Sequence, residues 1–184
     1  MLTMRTHTML FRPAFHPVMP VKNFDLTQLS VLVVEKHSPM RSMFRGILRE
    51  LGITKIDDAS TPETGFEEFN HRSPDIVLVD WSPGFDGIGL LNKIRTDTDS
   101  GNPFVPVIMV TAHGEASRVI EARDAGMTEY LTKPISAKSL YRRIASIVES
   151  ERPFIRISDF FGPDRRRKKE AFGDNERGAT AWGP

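Results

Sequence analysis

The stretch PDIVLVDW, residues 74–81, decides the fold. It holds four consecutive apolar residues without polar alternation, and three of the four are β-branched. Such a run is typical of a central strand in a parallel sheet that is covered on both faces. In open α/β sheets the functional crevice lies beyond the carboxyl ends of the strands. The run therefore predicts a buried strand that delivers the carboxylate of Asp80 to such a crevice.

Strand-like and helix-like segments alternate on both sides of this run. The predicted strands are residues 29–34, 53–59, 74–80, 105–110 and 129–132. The predicted helices begin at Ser38-Pro39, Thr61-Pro62, Asp86-Gly87, Glu115 and Ser136, with Ser38, Thr61 and Ser136 as predicted N-caps. Five strands alternating with five helices predict an α/β fold with a doubly wound, five-stranded parallel sheet and right-handed crossovers.

Composition divides the chain into three parts. We predict a flexible leader over 1–27, a domain over 28–150 and an arginine-rich tail over 151–184, with net charges of +2, −3 and +2. The sequence has no Cys, which excludes disulfides and thiolate metal sites and is compatible with a reducing cytoplasm. No apolar run approaches the about 20 residues of a membrane span. We expect a cytoplasmic, single-domain protein with no DNA-binding output domain after residue 150.

Polar side chains follow four of the predicted strands. They are Glu35 with Lys36, then Asp80, Thr111 and Lys133. This set suits phosphoryl transfer to a carboxylate: Asp80 attacks phosphorus, Lys133 neutralises the phosphoryl oxygens, and the Thr111 hydroxyl donates to one of them. Acidic groups on the first strand would hold Mg²⁺, because a carboxylate that approaches a phosphate dianion needs a hard cation between them.

Four motifs occur in an order and spacing that resemble a known family. They are VLVVEKHSPMR, PDIVLVDWSPGFDG, VPVIMVTA and GMTEYLTKPIS. Over roughly residues 29–150 they resemble the CheY-like receiver domains of two-component response regulators. The resemblance implies a flavodoxin-like sheet, a non-enzymatic signalling role, and Asp80 as the phosphoacceptor of a histidine kinase.

The resemblance also implies roles for other residues of the domain. Thr111 is the switch hydroxyl, Tyr130 is the aromatic residue that changes rotamer on activation, and Lys133 contacts the phosphoryl group. The bond between Lys133 and Pro134 is expected to be cis. Output is expected through protein contacts of the face formed by the fourth helix, the fifth strand and the fifth helix, with a signalling or flagellar motor protein as the partner.

The metal ligands implied by the family are Glu35, Asp80 and the backbone carbonyl of Ser82. The family has a second acid where this chain has Lys36, and that acid is the direct metal ligand. An ammonium group there removes most of the attraction for Mg²⁺ and cannot template octahedral oxygen geometry. We therefore predict weak Mg²⁺ binding and slow or absent phosphorylation. Ser82 also disfavours a haloacid-dehalogenase-type hydrolase, which places a second Asp at that position.

The tail shows no persistent helix or strand period, but its first part could pack on the domain through Phe154, Ile155, Ile157, Phe160 and Phe161. It also carries the segment FGPDRRR, residues 161–167. Guanidinium groups bind phosphate bidentately, stack on purines and donate to guanine O6 and N7, and Asp164 could accept from the guanine Watson–Crick edge. The segment resembles the arginine-rich tail of the Cle group of CheY-like proteins, which bind cyclic di-GMP and act at the flagellar motor and in attachment. That resemblance implies a cyclic di-GMP site formed by Asp164, Arg165, Arg166 and Arg167.

Two other interpretations stay open at this point. The chain could be a conventional receiver that a histidine kinase phosphorylates on Asp80, with a solvated tail. Alternatively, the basic tail could bind nucleic acid, with a steep dependence on salt and no guanine preference.

Overall fold

The structure is a computed structural model that describes residues 24–112, 116–149, 154–157 and 160–164. Most of the predicted leader, the predicted helix start at Glu115, and the tail arginines Arg165, Arg166 and Arg167 lie outside these residues. Within the described ranges, no helix is long and apolar enough to cross a membrane.

A five-stranded parallel sheet forms the centre of the domain. Its strands are β1 (Ser30–Val34), β2 (Lys55–Ala59), β3 (Ile76–Asp80), β4 (Val107–Thr111) and β5 (Glu129–Thr132). The order β2-β1-β3-β4-β5 confirms the predicted doubly wound, flavodoxin-like sheet. β2 and β4 begin two residues later than predicted, because the N–H of Ile53 still bonds to Leu48 and that of Val105 bonds to Asn102 in a turn.

Five helices cover the two faces of the sheet. They are α1 (Ser38–Glu50), α2 (Pro62–Arg72), α3 (Gly87–Thr96), α4 (Ala116–Asp124) and α5 (Ala137–Glu149). Side chains of β3 alternate between the two resulting cores, as the pleat of a strand requires. Val77 and Val79 join the core under α2 and α3, whereas Ile76 and Leu78 join the core under α1 and α5. The central strand is therefore buried on both faces, as its unbroken apolar run predicted.

The predicted helix caps hold at two of three positions. The Thr61 side chain caps α2, and the Ser136 hydroxyl accepts an N–H from the first turn of α5 at 3.2 Å. The prediction that Ser38 caps α1 is wrong, because Ser38 is already helical and His37 is the N-cap, with no side-chain capping bond. The turn into α1 is held instead by Glu35, whose carboxylate accepts the N–H of His37 at 2.8 Å.

Two further strands follow the domain. They are β6 (Phe154–Ile157) and β7 (Phe160–Pro163), which pair antiparallel as a separate two-stranded sheet. The prediction of no regular structure in 151–184 is wrong for these residues. The pattern was hidden because both strands are only four residues long and because Gly162 and Pro163 are usually signs of a turn. β7 packs against α3.

Candidate functional site

The predicted strand-end residues meet at the carboxyl edge of the sheet. Glu35 follows β1, Asp80 ends β3, Thr111 ends β4 and Lys133 follows β5, and these strands are successive neighbours in the sheet. Glu35, Asp80 and Thr111 are buried, with 0%, 2% and 0% of their surface exposed. Three polar groups without water around them need partners inside the protein.

Lys133 bridges the two buried carboxylates. Its Nζ donates to Oδ1 of Asp80 at 2.7 Å and to Oε2 of Glu35 at 3.0 Å. Burial by itself lowers the pKa of Lys133, but its bonds to Asp80 and Glu35 more than offset this, so the net shift of that pKa is upward. The ammonium group therefore stays charged between the two acids. The bond between Lys133 and Pro134 is cis, as the resemblance implied.

Glu35 is fully engaged with its neighbours. Its Oε1 accepts from the backbone N–H of His37 at 2.8 Å and lies 2.9 Å from Nδ1 of the same residue, while Oε2 accepts from Lys133. Burial by itself raises the pKa of Glu35, yet the hydrogen bonds from the His37 amide and from Lys133 hold the pKa below its ordinary value. Glu35 is thus an ionised anchor for Lys133.

Both oxygens of Asp80 are occupied within the chain. Oδ1 accepts from Lys133, and Oδ2 accepts from the Ser82 hydroxyl at 2.6 Å. The Ser82 carbonyl, the predicted metal ligand, accepts the N–H of Phe85 at 3.0 Å and keeps a second lone pair. Each Asp80 oxygen therefore has one hydrogen-bond donor and keeps a second lone pair.

Lys36 is exposed, and the cation that pairs with Asp80 is Lys133. Among the residues that the structure describes, no group of three or more His, Asp or Glu side chains is placed to hold a metal ion. Glu35 and Asp80 are the two carboxylates of the predicted set, and one ammonium group bridges them. Mg²⁺ usually binds through one or two carboxylates and keeps several water ligands, and here the ammonium group of Lys133 contacts both acids that would have to hold the ion.

The two predicted switch residues, Thr111 and Tyr130, lie on the neighbouring strands β4 and β5. Thr111 is buried, and its carbonyl accepts the N–H of Lys133 at 2.8 Å, which ties the end of β4 to the residue after β5. Tyr130 lies on β5 opposite Met109 of β4 and is half-buried against the core. Thr111 therefore contacts the Lys133 backbone directly, and Tyr130 lies three residues before Lys133 in the chain.

Sequence reasoning missed a set of hydrogen bonds from Arg41 that holds the loop after β1. Arg41 donates from Nη1 to the carbonyls of Glu35 and Lys36 at 2.8 and 2.9 Å, and from Nε to Asp58 at 2.7 Å. Arg45 also bonds to Asp58. The sequence did contain a signal for this contact, namely Asp58 inside β2, because a carboxylate within a strand of the sheet needs a cation nearby.

A second missed contact lies next to Asp80. The guanidinium group of Arg118, in the first turn of α4, lies 4.8 Å from the centre of the Trp81 ring, a distance suited to a cation–π interaction. Trp81 is 8% exposed. The pair joins the residue after β3 to the first turn of α4.

The predicted nucleotide site is described only at its first residue. Asp164 is half-buried and directly follows β7. Arg165, Arg166 and Arg167 lie outside the described residues, so their expected contacts stay predictions.

Known proteins resemble this chain in sequence and in fold. The profile of the family described as "Response regulator receiver domain" matches residues 31–145, more than half of the chain. The chemotaxis protein CheY of Pseudomonas aeruginosa is 34% identical over 122 residues, which cover 66% of this chain and 97% of that protein. Chemotaxis protein CheY-3 of Vibrio cholerae is also 34% identical over 122 residues, covering 66% of this chain and 92% of that protein.

Solved structures agree with these matches. The receiver domain of Francisella response regulator 1452 has a TM-score of 0.58 at 28% identity, covering 66% of this chain and 97% of that one. The Vibrio cholerae chemotaxis protein CheY4 has a TM-score of 0.59 at 20% identity, covering 65% and 98%, and supports the fold alone.

Proposed function

This chain belongs to the response regulator receiver family, and we propose that it is a non-enzymatic signalling receiver whose input is cyclic di-GMP bound by the arginine-rich tail. The observation that carries this proposal is that β7 leads through Asp164 directly into three consecutive arginines. Output then comes through protein contacts.

The site at Asp80 favours an input other than phosphate. Lys133 and Ser82 engage both carboxylate oxygens, and Lys36 stands where the family has its direct metal ligand. Phosphoryl transfer to a carboxylate depends on a hard cation that neutralises the approaching dianion. Without that cation the reaction is slow, and the receiver needs another signal.

The tail has the chemistry that a guanine dinucleotide requires. A cyclic dinucleotide presents two phosphates and two purine faces, and the guanidinium group matches both by bidentate hydrogen bonds and by stacking. Arg165, Arg166 and Arg167 supply three such groups, and Asp164 supplies an acceptor for guanine N–H groups.

The output surface in this proposal is the face of α4, β5 and α5. Two of the exposed large apolar side chains lie on these helices: Ile120 on α4 is 48% exposed and Val148 on α5 is 41% exposed. Single exposed apolar side chains are common on protein surfaces, so the choice of this face rests on the receiver family to which the chain belongs. Because the two curated relatives named above are chemotaxis proteins, a signalling or flagellar motor protein is the proposed partner.

Calorimetric titration of cyclic di-GMP into the full chain tests the input. We expect micromolar binding by the wild type and its loss in the triple variant Arg165→Ala/Arg166→Ala/Arg167→Ala. The matched triple Lys variant keeps the charge but loses the planar fork, so it should bind at least about tenfold more weakly. No binding by the wild type would refute this input.

The same variants separate guanine recognition from general anion binding. If the triple Lys variant binds like the wild type, and if single-stranded DNA binds with a steep salt dependence, the tail is a nucleic-acid patch. Cyclic di-AMP serves as the base control, because it has the same phosphates but no O6 acceptor.

A conventional phosphorylated receiver is the second candidate function. It is favoured by the convergence of Asp80, Thr111 and Lys133 at one buried edge. Incubation with acetyl phosphate and millimolar Mg²⁺, followed by intact-mass measurement with an Asp80→Asn control, distinguishes the two. Rapid gain of one phosphoryl group by the wild type alone would favour this candidate.

A further inference from the structure

The hairpin β6–β7 lies at the edge of the sheet opposite to Asp80. Its contacts on the domain include Phe104, which precedes β4, and Gly126, which precedes β5. In a parallel sheet the starts of all strands lie at one edge and their ends at the other. The hairpin and the carboxylate site are therefore at opposite ends of the domain.

Three phenylalanine rings join the hairpin to the domain. The Phe104 ring meets the rings of Phe154 and Phe161 edge-on, with centroids 5.4 and 5.3 Å away and interplanar angles of 76° in both pairs. The rings of Phe154 and Phe161 are 5.8 Å apart. These distances and angles are those of favourable aromatic pairs. Phe104 thus sits in a three-ring cluster, although 54% of it remains exposed.

The hairpin also covers a buried guanidinium group. Arg95, near the end of α3, is 1% exposed and donates from Nε to Gly126 and from Nη1 to Pro103, both at 2.9 Å. Its Nη2 has no hydrogen-bond partner in the described part of the chain. The Phe154 ring centre lies 5.2 Å from Cζ of Arg95, so a cation–π interaction with this hairpin residue partly compensates the burial of the positive charge.

Gly126 lets the hairpin backbone approach the domain. A Cβ atom at this position would lie 2.6 Å from the carbonyl oxygen of Phe161 and 3.4 Å from Cγ of Arg95. Gly126 also has a φ of +92°, which residues with a side chain rarely adopt. The domain therefore has a backbone surface shaped to receive β7.

An isolated two-stranded hairpin is at best marginally stable in water. The Phe104 ring and the Arg95 guanidinium group of the domain therefore supply much of the stability that keeps β6 and β7 paired. Because β7 ends at Pro163, this docking also fixes where Asp164 and the arginine run begin. Fixing one end of a binding segment in advance reduces the entropy lost when the segment binds its ligand.

We propose that the hairpin is a clamp that holds β7 against α3 and so fixes the position of Asp164, and that Phe104 and Arg95 are positioning residues for the ligand of the tail. The ligand part rests on the proposed function, in which the tail binds cyclic di-GMP. The clamp itself rests on the contacts of Phe104, Phe154 and Arg95.

The test compares full-length wild type, Phe104→Ala and the control Glu67→Ala, which truncates an exposed side chain on α2. Two quantities are measured on each protein: amide hydrogen exchange over 154–163 and the affinity for cyclic di-GMP by calorimetry. We expect Phe104→Ala to abolish the protection of the hairpin, to leave the exchange of 28–149 unchanged, and to weaken binding about tenfold. The control should match the wild type in both measurements.

A second variant on the hairpin side keeps the test independent of the receiver core. Phe154→Ala should have the same two effects, and the double variant should be no worse than either single one, because both remove the same cluster. Retained protection in Phe104→Ala would overturn the clamp. Lost protection with unchanged affinity would overturn the positioning role while leaving the proposed function intact. If the wild type does not bind cyclic di-GMP, the proposed function and the ligand part both fail, and the exchange comparison decides the clamp alone.

Discussion

The Lys133 ammonium nitrogen lies 2.7 Å from Oδ1 of Asp80 and balances a carboxylate that is almost completely buried. The same ammonium group contacts Glu35 at 3.0 Å, so one cation serves two acids. This arrangement makes Lys133 the shared counter-ion of both buried carboxylates.

Removal of the cation should destabilise the domain. Lys133→Met leaves Asp80 and Glu35 buried without their shared partner, and breaking a buried pair in this way costs about 3–5 kcal/mol. Urea unfolding at neutral pH measures the loss. The control is Lys138→Met on the exposed side of α5, which should stay within about 0.5 kcal/mol of the wild type. Equal stabilities of the two variants would contradict the bridging role.

Acidification should remove the contribution of Glu35. The pKa of Glu35 in the folded protein is below its ordinary value of 4.5, so the unfolded chain takes up the proton first. The stabilisation is complete above pH 4.5 and is lost as the pH falls through the lower, folded-state pKa. Urea unfolding between neutral and acidic pH should therefore show a steeper decline for the wild type than for Glu35→Gln.

The exposed residue Glu67 provides the control for this pH experiment. Glu67→Gln should leave the pH dependence of the wild type unchanged. If Glu35→Gln and the wild type lose stability in parallel below pH 4.5, the hydrogen bonds from His37 and Lys133 do not hold the carboxylate in its ionised form.

Lys36→Asp should strengthen the Mg²⁺ binding that we predict to be weak in the wild type. The substitution replaces a positive by a negative charge beside Glu35, a change large enough for at least about tenfold tighter Mg²⁺ binding. Trp81 follows Asp80, so its fluorescence in a Trp182→Phe background can report the titration. Phosphorylation by acetyl phosphate should accelerate in the same variant.

Lys138→Asp makes the same charge change on exposed α5 and should leave Mg²⁺ binding as in the wild type. Tight Mg²⁺ binding and rapid phosphorylation of the unmodified protein would show that Lys36 does not impair the site.

The sequence was sufficient for the sheet and for the convergence of the site residues, because both follow from local patterns. Asp80 and Lys133 are 53 positions apart in the chain, yet Asp80 ends one predicted strand and Lys133 directly follows another, and parallel strands bring their ends to one edge. The hydrogen bonds between these side chains could not be predicted from the positions of the strands. The choice of the Ser82 hydroxyl as a partner of Asp80 depends on rotamers and burial, which no spacing rule encodes.

The apolar residues of the hairpin predicted packing on the domain, but the pairing of β6 with β7 escaped sequence analysis. The strands are only four residues long, and their pairing depends on Phe104 and Arg95, which lie 50 and 59 residues before Phe154. Strand propensity is strongly dependent on such packing. A segment this short has only a weak local signal, so its pairing becomes predictable only when the surface that receives it is known.

Gly126→Ala should detach the hairpin, whereas Gly84→Ala should not. Both glycines have positive φ, +92° and +76°, so an alanine at either position costs about 1–2 kcal/mol of backbone strain. A Cβ at Gly84 meets nothing within 4 Å, but at Gly126 it would lie 2.6 Å from the carbonyl oxygen of Phe161. Both variants should therefore lose similar stability in the domain, and only Gly126→Ala should show fast amide exchange over 154–163. Equal protection of the hairpin in the two variants would mean that β7 does not need the close approach that Gly126 allows.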